Sequence, residues 1–353
     1  MQFVPLQVTN IIHETDDAFT VEFARPSEGF NYLPGQYLTL KVHVNGDSLR
    51  RAFSLSSCPL LDDHLAVTIK AIEDGRVSQH LRKHLQIGDQ IEAYPPLGQF
   101  TLSPETTARR HCILVGAGSG ITPLMSMLRA VLHAEPHTYV SLIYGNRDED
   151  HIIFRETLHE LEQQFEPRLK VYHVLSRPSN QWKGFAGRID EAMAHEIIGD
   201  ILTLNPLPYA LYLCGPQGMM EAVDVAARRL GVDPQLIHRE YYSAPIPQEA
   251  SDDAEYDFEY ELKERSVQVV LDGREYTLTV DPESNILQAA IDMGLDPPYA
   301  CQEGVCSTCR GKLHSGLVQM MVRDGLSDEE LESNYILTCQ CIPLTDDVVI
   351  EFA

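Results

Sequence analysis

The chain is expected to be a multi-domain α/β protein of three successive modules, and three observations predict this. Residues 1–103 carry short alternating or β-branched runs separated by turn signals. Residues 104–245 alternate such runs with helical patterns. Residues 264–353 open on a strand pair and hold five of the eight cysteines. Short strands at this pitch make a small antiparallel barrel, whereas strand–helix alternation makes a doubly wound parallel sheet.

In the first module the strand candidates begin at Val4, Phe19, Tyr37, Arg51 and Leu65, with turns at Pro34-Gly35 and Asn45-Gly46-Asp47. A helix is expected over Val77–Leu85. In the second, the strands are His111–Val115, Thr138–Tyr144, Leu169–Leu175 and Tyr209–Cys214. Helices are expected from Thr122 to about Ala134, Ile153 to Phe165 and Gly218 to Leu230. Residues 246–263 are acidic and weakly apolar, which reads as a mobile linker. The third module should begin with a hairpin around Asp272-Gly273, then a helix from Ser284 to Met293 and a cysteine loop.

The net charge of −25 is uneven. Residues 246–353 hold 23 Asp and Glu against 6 Lys and Arg. Nucleic acid is thereby an excluded partner, because its phosphates are repelled. A partner with a basic docking face is the expected complement. No apolar run reaches the roughly 18 residues of a membrane helix, and the N-terminus does not read as a signal peptide. The scattered Cys58, Cys112 and Cys214 do not form a disulfide framework, so a reducing cytoplasm is expected.

Four cysteines, Cys301, Cys306, Cys309 and Cys339, follow the spacing C-x4-C-x2-C with a distant fourth member, the plant-type [2Fe–2S] spacing. Gly304 and Gly311 are expected to let this loop bend, and Ser307 and Thr308 to leave backbone N–H groups aimed at the sulfurs. Zinc also takes four thiolates but commonly pairs two short knuckles. Cys341, two residues beyond Cys339, would share its face in an extended segment and stands as an alternative ligand.

Two loops suit phosphates. Gly116-Ala-Gly-Ser-Gly-Ile-Thr-Pro123 lies between a strand and a helix, with Gly116, Gly118 and Gly120 admitting a ligand to the backbone and Thr122 and Pro123 opening the helix as cap and first turn. Gly75-Arg-Val-Ser78 opens another helix. Tyr144-Gly-Asn-Arg147 and Cys214-Gly-Pro-Gln-Gly-Met219 end strands, where α/β sheets place ligands.

Arg51-Ala-Phe-Ser54, together with the glycine loop in its G-x-G-x-G-x-T-P form, resembles the ferredoxin–NADP reductase family. With the cysteine set behind them, the modules resemble the reductase components of multicomponent bacterial oxygenases. Within that neighbourhood, Leu337–Phe352 and Tyr144–Arg147 are most similar to the reductase subunits of phenylacetyl-CoA epoxidases, and reductases of Rieske-type oxygenases share the module order. The resemblance implies an antiparallel β-barrel FAD domain, a doubly wound nicotinamide domain and a β-grasp ferredoxin domain.

It further implies Arg51 on the FAD pyrophosphate, Phe53 against the flavin and Ser54 near its reactive nitrogen. Thr122 and Cys214 belong beside the nicotinamide, and Glu240 and Tyr242 at the flavin border. Ser54, Thr122, Cys214 and Glu240 are the expected catalytic group. Ala52, Lys70, Gly75, Val77, Ser78, Asn146, Arg147, Arg188, Gly215 and Pro216 complete the cofactor set. Ser176-Arg177 follows the strand ending at Leu175, where a hydroxyl and a guanidinium suit a 2′-phosphate. NADPH is therefore the expected donor, with NADH possible. Electrons are expected to pass from NAD(P)H through FAD and the [2Fe–2S] cluster to an iron oxygenase. A stand-alone diaphorase and a non-enzymatic iron–sulfur carrier are the rival readings.

Overall fold

The computed structural model describes residues 3–242, 263–282 and 284–352. Nearly all of the expected linker, residues 246–262, lies outside them.

The N-terminal module is a six-stranded antiparallel sheet. Its strands are β1 (Val4–Thr15), β2 (Ala18–Ala24), β3 (Tyr37–Val44), β4 (Asp47–Ser54), β5 (His64–Lys70) and β6 (Gln90–Leu97), and helix α1 is Arg76–His84. The order is β4-β3-β6-β1-β2-β5, and Leu55 bridges Val67 to close the ring. Asn45 and Gly46 both take positive φ, the two-residue turn that matches strand twist and joins β3 to β4. Leu38, Leu40 and Val42 of β3 face the barrel core. Alternation predicts that Tyr37 and Thr39 should face water, yet both are buried. The reason is the third module, which covers this outer face.

The second module is a six-stranded parallel sheet of order β10-β9-β8-β7-β11-β12. It comprises β7 (His111–Ala117), α2 (Ile121–Ala134), β8 (Tyr139–Asn146), α3 (Arg155–Gln164), β9 (Leu169–Leu175), β10 (Phe185–Ala186), α4 (Glu191–Leu204), β11 (Tyr209–Cys214), α5 (Gln217–Arg229) and β12 (Ile237–Glu240). Alternate strand residues serve two cores. Cys112, Leu114 and Leu142 pack under α2 and α3, while Ile113, Val115 and Ile143 pack under α4 and α5. Chain order reverses between β7 and β11, which opens the crevice where such sheets bind ligands.

The C-terminal module contains β13 (Arg265–Leu271), β14 (Arg274–Val280), α6 (Ile286–Asp292), β15 (Arg310–Ser315), β16 (Val318–Met320), α7 (Asp328–Glu332), β17 (Tyr335–Leu337), β18 (Cys341–Pro343) and β19 (Val348–Phe352). The main sheet has order β14-β13-β19-β15-β17, with β13 and β19 parallel, and α6 crosses it as in a β-grasp. The hairpin at Asp272-Gly273 forms with both residues at positive φ.

Three local expectations are corrected. Thr122 does not cap α2; the helix starts one residue earlier, behind Gly120. Thr122 Oγ1 instead donates to the Ser119 carbonyl, 3.0 Å away. α6 is capped by Asn285, whose side chain accepts from Gln288 N, so the helix starts two residues late of Ser284. Gly311 is no hinge. It lies in β15, where an added Cβ would sit 2.7 Å from Ile350 Cγ2, so its smallness serves close strand packing.

Candidate functional site

The four residues expected to be catalytic come together from four elements. Ser54 ends β4, Thr122 opens α2, Cys214 ends β11 and Glu240 ends β12. Tyr242 joins three of them. Its hydroxyl lies 2.8 Å from Thr122 Oγ1 and 3.4 Å from Ser54 Oγ, and interacts with the Cys214 thiol. Cys214 is fully buried, and burial, with Glu240 beside it, pushes its thiol far up, so it stays protonated. Register pairs Cys214 with Glu240 across β11 and β12. Burial, and then the nearby Cys301, push the Glu240 carboxyl up to about 8. Near neutral pH burial thus favours the protonated form of this carboxyl.

The glycine loop lies against the end of β11. A Cβ on Gly120 would fall 2.0 Å from the Cys214 carbonyl oxygen, so only glycine permits this approach. Gly116 pairs with Cys214 in register, while Gly118 takes positive φ within reach of Lys70. Lys70 Nζ also pairs with Asp17 at 3.4 Å. Gly215 and Pro216 continue the same crevice into α5, and Pro123 lies in the first turn of α2.

Along the outer edge of the sheet, Arg147, Ser176, Arg177 and Arg188 lie exposed at the ends of β8, β9 and β10. Ser176 N donates to Asn146 O and Arg177 N to Arg147 O, which stitches two of these loops together. The acids nearby are already engaged. Asp148 accepts from His151, Glu149 from Ser179, and Asp190 caps α4. Among the described residues no carboxylate pairs with Arg147, Arg177 or Arg188, which leaves guanidinium groups for an anion.

On the barrel, Arg51 and Phe53 share one side of β4 and Ser54 the other, as alternation requires. Arg51 is exposed. Phe53 lies on the side of Leu38, partly packed against the barrel core, so only its uncovered part remains for a flavin. Gly75 precedes the first turn of α1, which carries no acidic residue, and Ser78 Oγ bonds back to Gly75 O. Arg76 pairs with Asp47 at 2.5 Å and ties this turn to the hairpin bearing Arg51. Val77 points into the barrel core, so its side chain faces away from any phosphate. Ala52 lies on the outer face with Tyr37 and Cys306.

The four cysteines fall into two pairs. Cys301 is hydrogen-bonded with Cys306, and Cys309 Sγ lies 3.3 Å from Cys339 Sγ. The Cys306 thiol, and then N–H groups of Glu303, Cys306 and Val305, pull Cys301 down to about 6. Cys309 lowers Cys339 in the same way. Among the described residues no group of three or more His, Cys, Asp or Glu surrounds a single ion position. Two sulfide-bridged irons instead need two thiolates each, a number the two pairs match. Gly304, with φ +78, makes the loop tight enough for this. Cys341 is excluded from the group. A 3₁₀ turn at Thr338–Gln340 rotates the chain, so Cys341 drops into the β-grasp core beside Val267 and Ile350. Burial raises its thiol far above the ordinary range.

Sequence reasoning passed over Tyr37. It is buried against Cys306 and Ala300, and its hydroxyl lies 3.1 Å from Thr308 Oγ1. Tyr37 is also the cross-strand partner of Ser54. One pair on β3 and β4 therefore links the Ser54–Tyr242–Thr122 group to the cysteine loop. A cavity of about 140 Å³, lined by Tyr37, Glu240, Cys306 and Asp324 among others, lies where the three modules meet. Only the tertiary contact explains this tyrosine, since in sequence it is one more strand aromatic.

Three family models match in series: an oxidoreductase FAD-binding domain over residues 4–102, an oxidoreductase NAD-binding domain over 114–224 and a 2Fe-2S iron-sulfur cluster binding domain over 269–344. The chain is 35% identical to a component of the 1,2-phenylacetyl-CoA epoxidase of Escherichia coli K12, covering 99% of this chain and 98% of that one. The chain belongs to the reductase components of multicomponent oxygenases. It is also 34% identical to the ferredoxin reductase component of 3-ketosteroid-9-alpha-monooxygenase from Rhodococcus rhodochrous, over 99% of this chain and 97% of that one. Phthalate dioxygenase reductase shares the fold over 99% of this chain and 98% of its own, with a TM-score of 0.59 at 22% identity. In this oxygenase reductase the FAD, nicotinamide and [2Fe–2S] modules thus follow one another in a single chain. No helix among the described residues is long and apolar enough to cross a membrane.

Proposed function

We propose that this reductase draws electrons from NADPH and delivers them to an iron oxygenase, with phenylacetyl-CoA epoxidase the first partner to test. The observation that carries the reading is the Tyr37–Ser54 pair, which joins the convergent Ser54–Tyr242–Thr122 group to the cysteine loop. When bound, FAD accepts a hydride as two electrons and the cluster carries them onward singly. The chain's own residues set the geometry. Ser54, Thr122 and Cys214 border the space for flavin and nicotinamide. Arg51 and the first turn of α1 receive the FAD phosphates. Glu240 holds a proton at the cavity wall. Cys301, Cys306, Cys309 and Cys339 hold the irons.

Arg147, Arg177 and Arg188, beside Ser176 and without carboxylate partners among the described residues, favour a 2′-phosphate, hence NADPH over NADH. The acidic C-terminal module favours an oxygenase with a basic docking face. No disulfide joins any of the eight cysteines, which suits the reducing cytoplasm as the working compartment. A Rieske-type or other hydroxylase is the second reading, supported by the steroid monooxygenase relatives. A diaphorase is a third, for which the paired cysteines have no use.

The test is anaerobic titration with NADPH and with NADH, followed by mixing with purified oxygenase components. Bleaching of flavin and then cluster absorbance by NADPH, and turnover restored with the epoxidase, is the expected result. Turnover restored only with a different oxygenase overturns the partner, and faster reduction by NADH overturns the donor.

A further inference from the structure

Arg50 lies one residue before the expected flavin motif and outside every cofactor site. A strand-borne arginine beside a turn ordinarily reaches water, yet this one is 2% exposed. Its guanidinium lies between two rings, 4.9 Å from the Phe3 centroid and 4.2 Å from that of Tyr299. Nη1 donates to the Pro297 carbonyl at 2.6 Å, and Nη2 pairs with Asp296. Asp296, Pro297 and Tyr299 form the segment immediately before Cys301. Lys41, the cross-strand partner of Arg50, also approaches Asp296, at 4.0 Å. A barrel arginine thus grips the lead-in to the cluster loop, on the face where Tyr37 meets Thr308.

The grip differs in kind from the join between the first two modules. There Arg129 holds Asp62 through two bonds of 2.6 and 2.8 Å, Asp62 also accepts from Cys58 N, and Ser126 Oγ donates to Ser57 O at 2.6 Å. Arg50 Nε, by contrast, is buried without an acceptor, and the Asp296 side chain is 70% exposed. One contact is built for permanence, and the other for a pose that water and salt can compete for.

We infer that Arg50 is a positioning residue that docks the ferredoxin module on the barrel with Cys306 against Tyr37, and that this docking sets the rate of flavin-to-cluster electron transfer. The inference rests on the FAD-to-cluster route proposed above. In the step it governs, bound and reduced flavin would give one electron to the cluster, one iron(III) becoming iron(II), and the second electron would follow only after the oxygenase has taken the first, because the cluster holds one electron at a time. Arg50 touches neither group and acts through the loop it holds.

The experiment compares wild-type, R50A, R50K and D296N holoproteins carrying FAD and cluster. Hydrogen exchange reads docking directly, and anaerobic stopped-flow separates flavin reduction by NADPH from cluster bleaching. In R50A, residues 295–301 and β4 should exchange faster. Flavin reduction should be unchanged, and cluster bleaching slower by roughly tenfold, because the docked pose loses the bonds to Pro297 and Asp296 together with both ring contacts. R50K should recover only part, since an ammonium cannot donate along two directions while stacked flat between rings. D296N leaves the arginine in place and should show a smaller slowing of the same step. Wild-type exchange and wild-type cluster bleaching in R50A overturn the inference. If R50A loses its cofactors, unchanged rates and exchange in both R50K and D296N overturn it instead. A wild-type protein whose flavin bleaches while its cluster never does would overturn the underlying route, whereas the exchange data judge the clasp by themselves.

Discussion

Replacing Gly120 by alanine should cripple hydride transfer while sparing the iron–sulfur module. The backbone at Gly120 has φ −61 and ψ −10, values any residue adopts, so the change brings no conformational strain of its own. The added methyl would nevertheless stand 2.0 Å from Cys214 O, 2.6 Å from Cys214 C and 3.0 Å from Gly215 N. Ordinary contact begins near 3.4 Å, so the loop or the end of β11 must retreat by about 1.4 Å. All three obstacles are backbone, and no rotamer change can relieve them. Overpacking of this kind costs about 1–3 kcal/mol, or a few degrees of Tm in a protein this size. A displacement near 1 Å at reacting groups costs about a hundredfold in rate. Thr122 and Cys214 lie on either side of the contact, so both move. Stopped-flow flavin reduction by NADPH measures the rate, and the cluster spectrum checks the third module. A variant with wild-type hydride transfer and wild-type Tm would show that the glycine loop and β11 do not touch as described, and the placement of Thr122 beside Cys214 would fall with it.

Other outcomes follow from the same geometry. Cys339→Ser should lose iron and sulfide, whereas Cys341→Ser should keep both and lower stability by about 1–2 kcal/mol by placing a hydroxyl in an apolar core, read by iron content and denaturant titration. Arg177→Ala should lower kcat/KM for NADPH roughly tenfold with little change for NADH, and equal losses would remove the 2′-phosphate assignment. His111 is 3% exposed, and burial pushes it down to about 4. The unfolded chain binds its proton from about 6.5 downward and the native state only near 4, so stability is lost as pH falls through that window, by about 3 kcal/mol in all. His111→Gln should flatten this part of the pH dependence of the unfolding free energy between pH 7 and 4. An unchanged profile would mean that the ring is hydrated.

Local chemistry makes much of the molecule legible in its sequence. Asn45-Gly46 and Asp272-Gly273 announce hairpins because both residues tolerate positive φ. The strand–glycine–helix order announces the nucleotide crevice, and the cysteine spacing the cluster loop, because each is a short-range requirement. Val77 and Phe53 show what local pattern leaves open. Both sit in motifs expected to line a cofactor, and their side chains pack toward the barrel core, a direction set by packing across the sheet. Cys341 shows it again. Period-two alternation places it beside Cys339, but one 3₁₀ turn rotates it into another core.

Periodicity, turn chemistry and ligand spacing specify the three modules, their order, the glycine loop and the cysteine set, because each of these signals acts over short stretches of chain. The tertiary structure alone decided that Tyr37 and Thr39 are buried, that Ser54 meets Thr122 through Tyr242, and that Arg50 grips the approach to Cys301. These contacts join residues 120 to 271 positions apart. Such pairings depend on how finished modules fit face to face, and no local pattern encodes that fit.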